Sequence, residues 1–259
     1  MAAPLVLITG ASSGIGWALA EQALQRGWRV ALLARREAEL RSRLQAQPDW
    51  AGRWWVWGVD VGDATALQAV ASDCLAQCGL PDVVIANAGI SLGVDSAEAE
   101  DLAVFEQVMR TNVLGVAHTF QPFVAAMRAR GTGRLVAIAS VAGIRGLPGH
   151  AAYCASKSAV IAYAESLRGE LRGSGVGVST LAPGYVATPL TARNRYPMPF
   201  LMQPEAFAAQ AWRAIDAGVS YRVIPWPMAV VAKLLRVLPD ALWDRLLQGR
   251  PRKHRHNTR

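Results

Sequence analysis

Residues 9–16 read TGASSGIG and follow directly on the apolar run LVLI at residues 5–8. Glycine adopts positive φ without steric penalty, so Gly10, Gly14 and Gly16 allow a tight turn between a strand and a helix. The first N–H groups of that helix attract anions because they have no partner within the helix. The spacing G-x3-G-x-G differs from the G-x-G-x-x-G dinucleotide fingerprint. Taken alone, the turn fits a nucleotide phosphate site and a plain tight connection equally well.

Short apolar runs alternate with longer helical stretches along the whole chain. Strands are predicted at residues 5–8, 29–34, 54–59, 83–86, 135–139, 176–181 and 221–224. Helices are predicted at residues 14–26, 36–47, 64–77, 99–130, 151–171, 204–217 and 226–247. Strands that are apolar on both faces and separated by helices indicate a parallel sheet covered on both sides. The pattern therefore predicts an α/β fold with a doubly wound parallel sheet.

The composition is that of a globular chain: 259 residues, 52% hydrophobic, with a mean hydropathy of +0.19. This excludes a disordered or low-complexity protein. The net charge is +8, but residues 250–259 carry five basic side chains and no acid, and subtracting these five leaves +3. We therefore expect one domain over residues 1–250, a disordered basic tail at 251–259, and no nucleic-acid partner.

The three cysteines indicate where the protein works. Cys74, Cys78 and Cys154 lack the spacings of zinc sites and redox motifs, so we interpret them as buried thiols in a reducing compartment. No apolar stretch approaches the length of about 18 residues that a membrane-spanning helix needs. Two of the four histidines lie in the last six residues, which leaves too few ligands for a metal site in the body of the chain. These features predict a cytoplasmic protein without a bound metal.

The ends of the next strands bear on the identity of a nucleotide. Residues 34–36 read Ala-Arg-Arg, where NAD-binding folds usually carry an acid for the ribose 2′-hydroxyl. The guanidinium groups of Arg35 and Arg36 are able to hold a 2′-phosphate instead, which favours NADP(H) over NAD(H). Asp60 either accepts a hydrogen bond from an adenine amino group or caps the following helix. Residues 87–89, Asn-Ala-Gly, either admit a ligand close to the backbone or form an ordinary turn.

Ser140, Tyr153 and Lys157 form the predicted chemical set. Lys157 follows Tyr153 by four residues in a helical stretch, so both side chains lie on one face of that helix. The pKa of an ordinary tyrosine, about 10, is too high for a base at neutral pH. A fixed ammonium nearby favours the phenolate and lowers that pKa. Ser140 follows the fifth predicted strand and is able to hydrogen-bond a substrate oxygen.

These motifs together resemble the classical short-chain dehydrogenases/reductases over about residues 4–190. The matching positions are TGASSGIG at 9–16, Asp60, Asn-Ala-Gly at 87–89 (after Ala86, where the family commonly has Asn), Asn112, Ser140, Tyr153, Lys157, Pro183, Gly184 and Thr188. Each motif is weak alone, whereas six in register are highly specific. The resemblance implies a Rossmann-type sheet of about seven strands in the order 3-2-1-4-5-6-7, with helices on both faces.

The resemblance also implies roles for single residues. Tyr153 would be the general acid in carbonyl reduction and the base in alcohol oxidation, and Lys157 would lower its pKa and bind the nicotinamide ribose. Ser140 would hold the substrate oxygen, and Asn112 would anchor a water that relays protons. The NADP(H) cofactor would be bound by Gly10, Ser12, Ser13, Gly14, Ile15, Gly16, Arg35, Arg36, Asp60, Val61, Asn87, Ala88, Gly89, Tyr153, Lys157, Pro183, Gly184, Val186 and Thr188.

The variable C-terminal part would set the substrate. Residues 189–217 resemble the family's substrate lid, and the Met and Phe side chains within 189–204 favour an apolar ketone, aldehyde or secondary alcohol. It is equally open that these side chains simply pack on the sheet. His150 and Tyr185 are expected to line the substrate pocket with Ser140 and Tyr153. The family commonly assembles through the helices predicted at 99–130 and 151–171, so we expect a homodimer or homotetramer.

Two further hypotheses stay open. One is a regulatory protein that keeps the dinucleotide fold without catalysis, although such relatives typically lose the tyrosine or lysine that this chain keeps. The other is a membrane-peripheral reductase of a lipid or steroid, in which the C-terminal extension at 226–250 and its basic tail contact an anionic membrane. The same helical pattern also suits packing against a neighbouring subunit.

Overall fold

Seven parallel strands form the sheet in the part of the chain that the computed structural model describes, namely residues 3–192, 194, 197–249, 253 and 255. The strands are β1 Leu5–Thr9, β2 Arg29–Ala34, β3 Trp54–Gly58, β4 Val83–Ala86, β5 Gly133–Ile138, β6 Val176–Pro183 and β7 Tyr221–Ile224. Their order is β3-β2-β1-β4-β5-β6-β7, and every neighbouring pair is parallel. The predicted α/β fold and strand order are therefore confirmed.

Helices cover both faces of this sheet. They are α1 Gly14–Gln25, α2 Glu37–Gln45, α3 Ala64–Cys78, α4 Asp101–Met109, α5 Gly115–Arg130, α6 Ala151–Glu170, α7 Pro204–Asp216, α8 Trp226–Val237 and α9 Asp240–Leu247, as far as the described residues extend. Alternate residues of β1 belong to two separate hydrophobic cores, one on each face of the sheet. Val6 packs in the core that includes α1, α2 and α7, and Leu7 packs in the core that includes α3, α5 and α6. Because both faces of the strands are buried, their sequences read as continuous apolar runs.

The strand order places an open crevice beside the glycine turn. From β1 the chain adds β2 and β3 on one side and then returns to add β4 to β7 on the other, so the order of strand addition reverses between the neighbouring strands β1 and β4. The connections that leave these two strands therefore diverge, and a ligand binds between them at the carboxyl ends of the strands. The turn at residues 9–16 leaves β1, and the Asn-Ala-Gly segment at 87–89 leaves β4. Both motifs thus lie at this switch point.

Two predicted helices are interrupted in the structure. The helix predicted at 99–130 consists of α4, a π-helical turn Arg110–Leu114 and α5. The π turn carries Asn112, whose side chain bonds the backbone of Ile90. The helix predicted at 226–247 is divided into α8 and α9, because Pro239 disfavours a helical conformation at Leu238, which is extended.

The three cysteines are buried and free, as interpreted from their spacing. Of the tail that we expect to be disordered, the structure describes Lys253 and Arg255, and both contact the body of the protein; the other residues of 251–259 lie outside the described residues. Arg255 forms a short parallel bridge with Gly93. No helix within the described ranges is long and apolar enough to cross a membrane.

Candidate active site

The glycine turn is packed against the end of β4. A Cβ at Gly10, where φ is +66°, would lie 2.8 Å from the Cα of Ala88, and a Cβ at Gly16 would overlap the carbonyl oxygen of Gly10. The side-chain amide of Asn87 donates to the carbonyl oxygens of Thr9 and Gly10 at 2.9 and 3.3 Å. The Thr9 hydroxyl accepts from the backbone N–H of Asn87 at 3.1 Å. The turn therefore requires glycine, and Asn87 fixes its position.

A cavity of about 470 Å³ extends from this turn across the ends of the strands. It is lined by Gly10, Ser12, Ser13, Gly14 and Ile15, so the first turn of α1 faces it. Within the described chain, the N-cap residue Ser13 makes no side-chain capping hydrogen bond, which leaves N–H groups of α1 for an anion in the cavity. The volume is typical of a small-molecule site.

The cavity is positive at the end of β2. Arg36 donates from Nη2 to the hydroxyl oxygens of Ser12 and Ser13, both at 3.0 Å, and its Nε lies 2.8 Å from a Glu39 carboxylate oxygen. Its guanidinium is thus held beside the glycine turn. Arg35 also lines the cavity and is exposed. Asp60 lines it as well, while its Oδ1 accepts from the N–H of Gly62 at 2.8 Å, so this carboxylate also fixes a turn.

Tyr153 and Lys157 lie one turn apart on α6, and both line the cavity together with Ser140. The Lys157 Nζ is 5.9 Å from the centre of the Tyr153 ring and donates to the carbonyl oxygen of Ile138, at the end of β5, at 2.8 Å. Ser140 caps a 3₁₀ turn, Val141–Gly143, because its Oγ accepts from the N–H of Ala142. The predicted chemical set is therefore assembled in one place.

Burial shifts the pKa values of Tyr153 and Lys157 in the directions that favour their uncharged forms. It raises the pKa of Tyr153 to about 12, against a smaller opposite effect of a hydrogen bond with Ser140. It lowers the pKa of Lys157 to about 8. We expected the ammonium to lower the pKa of Tyr153, and the direction is the opposite. Desolvation of the partly buried phenol outweighs its hydrogen bond with Ser140, while the Lys157 ammonium donates to the carbonyl oxygen of Ile138.

Asn112 lies beneath the site and is fully buried. Its Oδ1 accepts from the N–H of Ile90 at 2.8 Å, and its Nδ2 donates to the carbonyl oxygen of Ile90 at 2.9 Å and to Ser156 Oγ at 3.0 Å. Ser156 in turn donates to the carbonyl oxygen of Tyr153 at 2.8 Å. The side chain of Asn112 therefore joins the segment after β4 to the helix that carries Tyr153.

Not every predicted residue reaches the cavity. All the expected cofactor residues line it except Gly16, which packs inside the turn. His150 and Tyr185, expected at the substrate pocket, do not line it. His150 is buried at the start of α6, which lowers its pKa. Pro189, Leu190 and Thr191 of the predicted lid also line the cavity. Residues that sequence reasoning missed are Leu33, Ala34, Val59, Ile90, Thr111, Ile138 and Ala139. Five of these seven lie at or next to strand ends, which is the signal that could have identified them; Ile90 and Thr111 do not.

The chain's sequence is similar to those of known oxidoreductases. The family model of the short chain dehydrogenases matches residues 4–198. A Myxococcus xanthus protein named "Uncharacterized oxidoreductase" is 40% identical over 243 residues, which cover 92% of this chain and 94% of the relative. A Nostoc protein named "Ketoacyl reductase HetN" is 33% identical over 197 residues, 76% of this chain and 68% of the relative.

Solved structures show the same architecture. A short-chain dehydrogenase/reductase from Burkholderia phymatum in complex with NAD matches with a TM-score of 0.81 at 26% identity, covering 97% of both chains. An alcohol dehydrogenase from Thermococcus sibiricus, complexed with 5-hydroxy-NADP, matches with a TM-score of 0.77 at 25% identity, covering 86% of this chain and 96% of that chain. The two structural relatives thus hold different nicotinamide dinucleotides.

Proposed function

This chain belongs to the short-chain dehydrogenase family of oxidoreductases, and we propose that it interconverts a ketone or aldehyde and an alcohol with NADP(H). The observation that carries the proposal is that one cavity is lined both by the glycine turn at residues 9–16 and by Ser140, Tyr153 and Lys157. A dinucleotide bound along the strand ends would lie with its redox end beside groups that exchange a proton with a substrate oxygen.

The residues of the cavity fit a nicotinamide dinucleotide. Gly10 and Gly14 present backbone at the point where a pyrophosphate would lie against the N-terminus of α1. Pro183 and Gly184, at the end of β6, line the opposite end, where the nicotinamide would lie. When bound, the cofactor supplies or accepts the hydride. The role of the protein is to position the reacting groups and to transfer the proton to or from the substrate oxygen.

NADP(H) is the form that the charges favour. Arg36 is held between the hydroxyl groups of Ser12 and Ser13, and Arg35 lines the same end of the cavity. Forked guanidinium groups bind a phosphate well, and residues 34–36 include no acid to bind a 2′-hydroxyl. Because structural relatives bind either NAD or NADP derivatives, the preference rests on these two arginines.

Tyr153 would act as the general acid of carbonyl reduction. A phenol whose pKa is about 12 is protonated at neutral pH, and that is the form that donates a proton to the carbonyl oxygen. Ser140 would donate a hydrogen bond to the same oxygen and so hold it within reach. The Lys157 ammonium would stabilise the phenolate that remains. In the oxidative direction, Tyr153 must first lose its proton, so the buried site favours reduction.

Asn112 would support proton delivery through its main chain. Its amide side chain already bonds Ile90 and Ser156 through both Oδ1 and Nδ2. Asn112 lies in a π-helical turn, and such turns are frequent at functional sites because their carbonyl groups leave the regular α-helical pattern. A water on such a carbonyl, next to Lys157, would return protons to Tyr153.

The substrate would be an apolar carbonyl compound. Residues 189–217 would act as its lid, and within them Phe200 and Leu201 are about half exposed. Met202 is fastened to the site by two backbone hydrogen bonds, with Tyr185 and Ala187. Flexible apolar side chains fit such a ligand adaptably. His150 and Tyr185 would border the substrate rather than the cofactor.

A homodimer or homotetramer would form through α4, α5 and α6. The largest exposed apolar side chains on this part of the surface are Leu102, 62% exposed, and Leu114, 51% exposed. Leu114 ends the π turn that carries Asn112, so association would also stabilise the site. Analytical ultracentrifugation of the wild type and of Leu102→Gln with Leu114→Gln tests this assembly.

The proposed activity is tested with a panel of ketones, aldehydes and secondary alcohols, assayed with NADPH and NADH in parallel. Tyr153→Phe serves as the blank because it keeps the ring but removes the hydroxyl. We expect turnover of apolar compounds, faster with NADPH, and no turnover in the variant. Tight NADPH binding without turnover of any compound would contradict an enzyme, and turnover of small hydrophilic carbonyls alone would contradict the apolar substrate.

A further inference from the structure

The outer face of the C-terminal helices is apolar. Six of the twelve large apolar side chains that are exposed in the described part of the chain lie on α8 and α9: Trp226, Val230, Leu234, Val237, Leu242 and Leu246. Those of α8 recur at the helical spacing i, i+4, i+8 and i+11, within an arc of about 80°. Trp226 is 72% exposed and Val237 77% exposed. The four on α8 form one stripe, and Leu242 and Leu246, four residues apart, share one face of α9. We call these six side chains together the outer stripe.

The opposite face of α8 belongs to the body of the enzyme. Met228 and Ala232 are buried, and Met228 packs with Ala182 of β6 and Val223 of β7. A Cβ at Gly184, a residue that lines the cavity, would lie 2.9 Å from Met228. The helix therefore contacts the active site on one side and presents the outer stripe on the other.

The helix pair is held firmly in this position. Arg145, from the segment between Ser140 and Tyr153, donates to the carbonyl oxygens of Leu235 and Leu238 at the end of α8, and its guanidinium stacks on Trp243 of α9. Trp243 Nε1 donates to the carbonyl oxygen of Gly146 at 3.2 Å. The exposed side chains thus form a surface of fixed shape, fastened to the segment that carries the catalytic residues.

Basic side chains accompany the outer stripe. Lys233 lies at its edge on α8, and Arg245 lies on α9. Arg236 lies further round α8 and donates from Nη1 to the carbonyl oxygen of Ile144 at 3.0 Å; all three are exposed. The two acids of the pair are Asp240, which forms an ion pair with Arg145, and Asp244. Of the basic residues that follow α9, Arg255 is bound instead to Glu98, Glu100 and Asp101 at the start of α4. The stripe therefore lies on a surface with excess positive charge.

We propose that the outer stripe of α8 and α9 docks this protein on an anionic lipid surface. Amphipathic helices with Trp and Leu on one face and Lys and Arg beside it lie in the plane of a bilayer interface and bind more strongly when the lipids are anionic. A second copy of the chain is a poorer occupant. A two-fold contact through this stripe would place two surfaces with the same excess of positive charge against each other.

Docking in this orientation would deliver apolar substrates from the bilayer. Because α8 lies between the outer stripe and Gly184, the bound protein would hold its active site next to the membrane surface. This consequence rests on the proposed function, whereas the docking itself does not depend on any activity.

The full-length protein is tested by co-sedimentation with phosphatidylcholine vesicles that contain or lack phosphatidylglycerol. We expect binding to the anionic vesicles only, decreasing as salt is raised. Leu234→Gln should lower the partition coefficient about tenfold, because one buried leucine is removed from the interface. Leu201→Gln is the control, since Leu201 is an exposed leucine (46%) that lies outside α8 and α9 and outside the proposed subunit contact. Lys233→Glu should weaken binding, and Arg128→Glu on α5 should not.

The outcomes separate the possible occupants. No sedimentation with anionic vesicles, equal binding to neutral ones, or equal losses in Leu234→Gln and Leu201→Gln would overturn the proposal. A dimer that Leu234→Gln dissociates, with no vesicle binding, would assign the stripe to a second copy instead. Circular dichroism melting of each variant verifies that it is folded. Vesicle binding without carbonyl turnover would support docking and contradict the proposed function.

Discussion

Tyr153 and Lys157 share a buried environment that opposes charge on both side chains. The pKa of the phenol rises to about 12 and that of the ammonium falls to about 8. At neutral pH the tyrosine is therefore a protonated acid and the lysine is largely charged. This is the combination that donates a proton to a carbonyl and stabilises the phenolate that remains.

The pH dependence of the two directions should therefore differ. We expect the rate of reduction to fall as the pH rises through about 8, because Lys157 then loses the charge that stabilises the phenolate. We expect the rate of oxidation to rise with pH, because it needs Tyr153 deprotonated. Steady-state kinetics in both directions measure these profiles.

Lys157→Arg is the control for this assignment. A guanidinium stays charged over the accessible range, so any reduction that remains in the variant should no longer decline near pH 8. A wild-type reduction rate that stays constant up to about pH 10 would contradict the role given to Lys157.

Arg36 is the residue whose replacement most directly tests the choice of cofactor. We expect Arg36→Ser to lower kcat/KM for NADPH by about tenfold or more, since a hydrogen bond between charged groups is lost, and to leave kcat/KM for NADH unchanged. Arg128→Ser on α5 serves as the matched control, because it removes an exposed arginine remote from the cavity. Equal losses with both cofactors would contradict a 2′-phosphate contact.

At the scale of elements, the position of α1 depends on close packing between the glycine turn at residues 9–16 and Asn87 at the end of β4. Gly16 lies in the first turn of the helix, where a Cβ would overlap the carbonyl oxygen of Gly10 and lie 2.5 Å from the side-chain amide of Asn87. The helix can therefore start beside β4 only without a side chain at this position. Moving the turn outward would also displace the N–H groups that face the cavity.

Gly16→Ala should accordingly destabilise the protein by about 1–3 kcal/mol, the usual cost of overpacking, and weaken binding of NADPH. The matched control is Gly169→Ala on α6, where a Cβ meets no atom within 4 Å. That change should stabilise by up to about 1 kcal/mol, because alanine is the better helix former. Urea unfolding and fluorescence titration with NADPH measure both effects, and equal stability of the two variants would contradict the packing argument.

The π turn in the helix predicted at 99–130 shows what periodicity cannot reveal. Apolar spacing predicts that a segment is helical, and it did so correctly here for both α4 and α5. The π turn depends on the bonds between the Asn112 side chain and the backbone of Ile90, 22 residues away in the chain. Such a bond is tertiary, so neither propensity nor spacing indicates it.

At the scale of the molecule, the sheet and the cavity were predictable because their motifs lie at strand ends. Parallel strands bring their carboxyl ends to one edge, so residues far apart in the chain, such as Gly10, Asn87 and Ser140, converge there. The attachment of the C-terminal part was not predictable. Arg145 and Arg255 each find their partners among many possible acids and carbonyl groups, and only the folded chain selects one.

Arg255 joins the C-terminal part of the chain to the start of α4. Its Nε and Nη2 donate to the two carboxylate oxygens of Asp101 at 2.8 and 3.2 Å, and Glu98 lies 3.6 Å from its Nη1. Asp101 is 2% exposed and also accepts from the backbone N–H of Asp95 at 2.7 Å. The hydrogen bonds from Arg255 and then from Asp95 hold the pKa of Asp101 below its usual value.

Asp101→Asn should therefore lower the melting temperature at neutral pH. A carboxyl group whose pKa is lower in the folded state stabilises that state above the pKa of the unfolded chain, about 3.9, and loses this contribution as the pH falls through the folded-state pKa. The difference between the wild type and the variant should thus be full at pH 7 and shrink at acid pH. Asparagine keeps an acceptor for the N–H of Asp95, so the variant removes mainly the charge.

Glu98→Gln, at a half-exposed carboxylate, should have a smaller effect, because solvent screens that pair. Scanning calorimetry across this pH range measures the difference, and equal melting temperatures at pH 7 would show that Arg255 does not fasten the end of the chain to α4.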